Sequence, residues 1–155
     1  RFYVALFLAT THNKIDKKGR VSLPAPFRVH LSRSEIVLFP SPKFECLEGV
    51  DVSFMEEVSE RLDQFDMFSE AQDEMAMAVF GEAVSVSLDE NGRFVMPTSL
   101  APHAGLSDHA VFVGLGKKFQ IWNADALSKR KSAARQSVSE KGLTIPSQKT
   151  GGAHE

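Results

Sequence analysis

The sequence predicts an α+β chain, mostly β, made of two copies of one small unit with a pair of helices between them. Three observations predict it. A nine-residue block, Asp16-Lys17-Lys18-Gly19-Arg20-Val21-Ser22-Leu23-Pro24, recurs 73 positions later as Asp89-Glu90-Asn91-Gly92-Arg93-Phe94-Val95-Met96-Pro97. A match at one fixed offset marks an internal duplication. Short apolar runs of strand length follow each block, 36–39 against 110–113 and 43–47 against 118–122. Between the copies the apolar residues change to helical spacing.

Each element has a local reason. Residues 2–10 are apolar enough for a buried strand, and 12–16 are a shorter, more polar one. Gly19 and Gly92 supply a turn, because glycine enters positive φ without steric cost. Residues 21–23 and 94–96 resume extended chain. Pro24 and Pro97 then stand where a short helix can start, since a first-turn position needs no backbone donor. Phe27 and Leu31 would share one face of the first such helix, and Leu100 with His103 or Ala104 one face of the second. Asp51 is placed to cap a helix whose stripe is Phe54, Met55, Val58, Leu62 and Phe65. A second helix, about 69–80, carries Ala71, Met75, Ala78 and Val79. Asn123 is placed to cap a last helix running to about Val138, followed by a flexible tail rich in Gly, Ser, Pro and Lys. The expected boundaries are 7–54 for the first domain, 55–81 for the linking helices, 82–126 for the second domain and 127–155 for the final helix and tail.

Composition narrows the class. At 155 residues and 43% hydrophobic, one compact domain or two joined halves can bury a core. The longest apolar run, 2–9, is too short to span a bilayer. The single cysteine, Cys46, excludes an intrachain disulfide and reads as a small core residue of a cytoplasmic protein. The net charge of −2 conceals segregation: residues 11–33 carry six bases and one acid, and 45–90 carry fourteen acids and one base. Such asymmetry fits a polyanion held by the first segment while the acidic middle turns away. Catalysis has little support. The five histidines lack metal-ligand spacing, no G-x-S-x-G elbow is present, and Gly114-Leu115-Gly116 reads as a hairpin bend. The expectation is no enzyme, no metal, no cofactor and no small-molecule substrate. Glu56, Glu57 and Glu60 read as the exposed side of a helix.

The paired Asp-x-x-Gly-Arg blocks, the opening Phe7-Leu8-Ala9-Thr10-Thr11-His12-Asn13-Lys14-Ile15-Asp16 and the run Val113-Gly114-Leu115-Gly116-Lys117-Lys118-Phe119-Gln120-Ile121-Trp122 resemble the MraZ family. The resemblance covers about residues 7–130. It implies tandem swapped-hairpin units of AbrB/SpoVT type with a β-barrel-like core, assembled as a ring. It also implies a sequence-specific regulator of the division and cell-wall gene cluster, with repression the expected outcome. Such a protein would bind double-stranded DNA at repeated G-containing promoter boxes and would be cytoplasmic and nucleoid-associated, with no membrane partner.

The family motif falls on Asp16 and Arg20, and on Asp89 and Arg93. Arg20 is the expected base reader, because a guanidinium can grip guanine O6 and N7 together. Lys14, Lys17 and Lys18 are the expected phosphate contacts, which hold register without reading sequence. In the second copy Glu90 and Asn91 replace two lysines, which leaves Arg93 divided between DNA contact and a local ion pair. Asp16, Gly19, Asp89 and Gly92 are expected to shape the turns. Arg28 and Arg33 read as solvated surface, and Lys117 and Lys118 as lining a hairpin turn. The Lys129-Arg130-Lys131 cluster with Arg135 is a weaker basic patch. Two rival functions stand beside this one: an oligomeric scaffold using the acidic helices, and an antitoxin-like AbrB relative.

Overall fold

The computed structural model describes residues 6–148. The chain divides into two compact units, Arg1–Ala124 and Asp125–Glu155. In the first unit the strands are β1 (Thr10–Lys14), β2 (Arg20–Ser22), β3 (Glu35–Pro40), β4 (Leu47–Asp51), β5 (Val84–Ser87), β6 (Arg93–Val95), β7 (His109–Gly114) and β8 (Phe119–Trp122). Its helices are α1 (Ala25–Arg28), α2 (Met55–Leu62) and α3 (Glu70–Val79), with 3-10 turns at Val52–Phe54 and Ala101–Ala104. The fold is α+β, as the sequence predicts.

The two copies exchange strands. The large sheet runs β1-β7-β8-β4-β3-β5, so the first strand of copy one pairs with copy two, and β5 of copy two pairs with β3 of copy one. Exchanging the copies maps this order onto itself. Lys14 faces His109 as Ser87 faces Glu35, and β4 meets β8 about a centre at Glu48 and Gln120. A separate two-stranded ribbon, β2 with β6, centres on Val21 and Phe94. The same pseudo-two-fold relation therefore holds in both sheets.

One apolar core serves both copies. Phe7, Val21, Leu23, Phe27, Ile36, Leu38, Leu47, Phe94, Phe112, Phe119 and Ile121 are all buried in it. Its aromatic rings meet mostly edge-to-face, Phe7 against Phe27 at 5.2 Å and against Phe119 at 5.1 Å between centroids. Such contacts contribute about 0.5–1.5 kcal/mol each beyond burial. A second cluster lies between β3–β4 and the helices, joining Val37, Phe39, Val50 and Val79 to Phe54, Met55, Val58 and Met75. The Met and Phe stripe is thus packing material. Phe65, Met67 and Phe68 beyond it stay exposed.

The structure corrects several expectations. The apolar start is not one long strand: Ala9 takes a left-handed φ of 74°, which breaks the extended chain between Phe7 and β1. Phe7 keeps only an isolated bridge to Gly116, and residues 2–5 of the expected strand lie outside those described. Among the described residues, the expected strands 2–10 and 12–16 reduce to β1 and the bridge at Phe7. The expected strand 43–47 is mostly loop, with β4 starting at Leu47. Cys46 is buried in that loop rather than in a strand. The first copy's β3–β4 connection is longer than the second's β7–β8 turn, so β8 corresponds to 47–50 and Asn123 to Asp51.

Asp51 precedes the 3-10 turn, but its carboxylate accepts no helix-capping hydrogen bond. It is buried and accepts from Ser32 N–H and Oγ at 3.1 Å, and from the Ser53 hydroxyl. Ser69, by contrast, caps α3 directly, its Oγ accepting from Gln72 N–H at 3.0 Å.

In the second unit, α4 (Ala124–Lys141) runs past Val138. Ala, Lys, Arg and Gln favour helix at most of its positions. It closes at Gly142, φ 61°, with Leu143 N–H reaching back to the Val138 carbonyl, the glycine stop common at helix ends. Residues 143–148 have no regular structure. The rest of the expected tail lies outside the described residues. Among the described residues no helix is long and apolar enough to cross a membrane.

Candidate nucleic-acid interface

Both Asp-x-x-Gly-Arg blocks fold into one local arrangement. Asp16 Oδ1 accepts from Lys18 N–H at 2.9 Å and Arg20 N–H at 2.8 Å. Asp89 Oδ1 accepts from Asn91 N–H at 2.8 Å and Arg93 N–H at 2.9 Å. An aspartate side chain commonly closes a turn in this way. Gly19 and Gly92 complete the turns at φ 84° and 77°, where a Cβ would be strained. The four motif residues Asp16, Gly19, Asp89 and Gly92 are therefore turn builders.

The second carboxylate oxygen addresses the arginine. Arg20 Nε donates to Asp16 Oδ2 at 2.7 Å. Arg93 Nε lies 3.5 Å from Asp89 Oδ2, buried and without a hydrogen-bond partner. The first guanidinium is thus held through Nε, which leaves its two Nη groups free of that carboxylate. Both local ion pairs form, and they do so at the turn surface: Arg20 and Arg93 side chains are 39% and 35% exposed. Exposure does not separate the two copies.

Their strands carry both arginines to one face. Val21 and Phe94 point into the core, so Arg20, Ser22, Arg93 and Val95 occupy the opposite side of the ribbon. Arg20 faces Val95 and Arg93 faces Ser22, which sets the arginines one diagonal step apart, within reach of long side chains. A groove of about 540 Å³ runs beside them, lined by Lys14, Asp16, Lys17, Arg20, Ser22, Arg93 and Asp108. Lys14, Lys17 and Lys18 are all exposed. The first turn thus gathers four cations around one aspartate, whereas Glu90 and Asn91 stand at the second.

Backbone hydrogen bonds hold Asp16 and Asp89 below the ordinary carboxylate range. The N–H of Arg20 is the largest cause for the first, and that of Arg93 for the second. Asp108, at the groove's edge, is lowered chiefly by a hydrogen bond from His109. All three stay anionic at neutral pH.

Sequence reasoning missed two participants. Arg28 is not solvated surface: Nη1 donates to the Asn91 carbonyl at 2.8 Å. Asp108 joins the groove from the other copy. Neither has a local signal, because each reaches the site only through strand exchange. Elsewhere Lys118 and Lys117 do line the β7–β8 turn, and each finds an acid: Glu48 at 2.9 Å and Glu57 at 3.8 Å. Among the described residues no group of three or more His, Cys, Asp or Glu could hold a metal ion.

Exchanged strands, a shared core and paired aspartate-anchored arginine turns define a swapped-hairpin protein of AbrB/SpoVT type. Comparison with known proteins narrows this. The model of the family described as "MraZ protein, putative antitoxin-like" matches residues 6–76 and 79–142. The chain is 37% identical to the transcriptional regulator MraZ of Gluconacetobacter diazotrophicus, over 97% of this chain and 99% of that protein. It is 38% identical to the transcriptional regulator MraZ of Gluconobacter oxydans (85% and 84%) and 37% identical to that of Rickettsia rickettsii (90% and 96%). The chain belongs to the MraZ family.

Proposed function

We propose that this protein is a transcriptional regulator that binds double-stranded DNA through its Asp-x-x-Gly-Arg turns, the first above all. One observation carries the reading. Arg20 is pinned by Asp16 at an exposed turn, its fork free of that carboxylate, with Lys14, Lys17 and Lys18 around it. Arg20 reads guanine, and the lysines contact phosphate. Arg93, on the same ribbon face, is the secondary contact. The names of the relatives support regulation rather than catalysis.

The finer reading extends this. The targets are G-containing repeats upstream of the division and cell-wall gene cluster, the outcome is repression in the nucleoid, and the working form is a ring. Titration of a fluorescent upstream fragment with wild type, Arg20→Ala and Arg93→Ala at two salt concentrations tests the site. A lost bidentate guanine contact is worth about 1–3 kcal/mol, or roughly 5–150-fold in specific affinity. Arg20→Ala should show this loss, with circular dichroism and mass unchanged, and Arg93→Ala a smaller one. Equal affinity of Arg20→Ala and wild type removes Arg20 from the interface.

A further inference from the structure

The second turn, judged on its own residues, is ill suited to a polyanion. Asp89 and Glu90 outweigh Arg93, where the first turn sets Lys17, Lys18 and Arg20 against Asp16. The fold brings a cation to it from the other copy. Arg28, the last residue of α1, donates Nη1–H to the carbonyl of Asn91 at 2.8 Å. Asn91 is the residue that occupies Lys18's place in the repeat. The Arg28 side chain lies so close over Gly92 that a Cβ there would fall 1.7 Å from Nη1 and 2.4 Å from Cδ. Gly92 is accordingly buried, beneath an arginine that is itself half-buried.

This placement is one-sided. In the repeat, Arg28 corresponds to Ala101, whose methyl group is too short to reach the other turn and carries no charge. At the first turn a Cβ on Gly19 would meet only Val95 Cγ1, at 3.5 Å. The turn with its own lysines therefore has an open flank, and the turn without them has an arginine supplied across the pseudo-two-fold. The neighbour Phe27, buried in the core, anchors α1 and so aims Arg28. Arg28 lines a hollow of about 250 Å³ with Arg33, Asp89 and Glu90. Arg33 is already paired with Glu35 at 3.1 Å and Arg93 lies 3.5 Å from Asp89, so Arg28 is the hollow's remaining cation.

We propose that Arg28 is a further DNA-contacting residue, replacing at the second turn the lysines that the first turn carries itself. The chain then offers arginines at two turns, at opposite ends of the β2–β6 ribbon, to the phosphates of one duplex, with the second turn's acids offset by Arg28 and Arg93. With Nη1 spent on Asn91, the Nη2 and Nε donors remain for a phosphate oxygen. The proposal rests on the DNA-binding reading above and deepens it.

The salt dependence of binding separates charge from mere support of the turn. Each phosphate contact contributes about 0.9 to the slope of log K against log salt. Binding of the full-length protein to the same upstream fragment is measured at several salt concentrations for wild type, Arg28→Lys and Arg28→Gln. Native mass and melting temperature are followed beside it. Gln retains a donor for the Asn91 carbonyl but no charge, whereas Lys retains charge.

The expected result is a slope lower by about one per chain engaged in Arg28→Gln and unchanged in Arg28→Lys. Adding Asn91→Lys to Arg28→Gln should restore it. Equal losses in the Lys and Gln variants, or no change in Gln, overturn the proposal. If Arg28→Gln does not fold, Arg28→Lys still decides: a wild-type slope supports a charge role and a reduced one rejects it. Arg20→Ala, run in parallel, distinguishes the failures. If it also binds like wild type, the reading of the turns as the DNA site is wrong; if only the Arg28 variants are silent, this inference alone falls.

Discussion

Asp16 and Asp89 show how one side chain can build both a turn and a site. Each uses one oxygen on backbone N–H groups and turns the other toward an arginine. Because these bonds favour the ionised form, the folded-state pKa lies below the usual value of 3.8. Their contribution to stability is therefore complete above that value, constant through neutral pH, and lost as pH falls through the depressed folded pKa. Asp16→Asn should flatten the acid limb of the stability curve below about pH 4 while changing it little in slope from pH 5 to 8. Melting temperatures of both proteins across this range check it, and superimposable acid limbs would remove Asp16 from the turn's support. Asp16→Asn should also weaken specific DNA binding several-fold, since Arg20 loses the partner that orders it. The residues of these turns were legible in the sequence because everything they need lies within five positions. Arg28, 63 positions from Asn91, was not.

At the scale of elements, the two copies must fit one core, and glycine sets how closely they approach. Gly49 of β4 lies under Phe119 of β8: a Cβ there would sit 2.3 Å from the ring's Cζ. No rotamer of Phe119 avoids it cheaply, because the ring is fully buried among Phe7, Phe27 and Phe112. Gly49→Ala should cost about 1–3 kcal/mol by overpacking, read as a lower denaturation midpoint at unchanged m-value. A midpoint equal to wild type would show that β4 and β8 do not close on one another as described. Beside this contact, buried Glu48 accepts from Lys118 at 2.9 Å and from Gln120 at 3.0 Å, and Gln120 in turn accepts from Trp122. Periodicity revealed the helices and most strands but not this network. A carboxylate in an apolar strand gains its reason only from Lys118 and Gln120, 70 and 72 residues on. The β4 boundary was misplaced because the repeat was matched residue for residue to 118–122, whereas the first copy's β3–β4 connection is longer and pairing with β3 and β8 starts β4 at Leu47.

For the whole molecule the question is how a chain of net charge −2 holds a duplex. Its bases fall in two segments, 11–33 with the first turn and 129–149, and its acids in and around α2 and α3, so the attraction is local. Three or four phosphate contacts per chain give a salt slope of only about 3–4, and one chain alone should bind weakly at physiological ionic strength. A ring would present the same ribbon at regular intervals, so that after one chain engages a box the next meets its own at high effective concentration. The expected consequence is a steep dependence on box number. A fragment with two correctly spaced boxes should bind about 10²–10⁴-fold more tightly than a single-box fragment. Inserting about five base pairs, half a helical turn, should remove most of that gain by rotating the second box to the far side of the duplex. Titrations of the three fragments, with assembly size followed by native mass spectrometry, test both points. If one box binds as tightly as two, or the half-turn insertion has no effect, the chains act singly and the grip must come from more contacts per chain than the two turns provide.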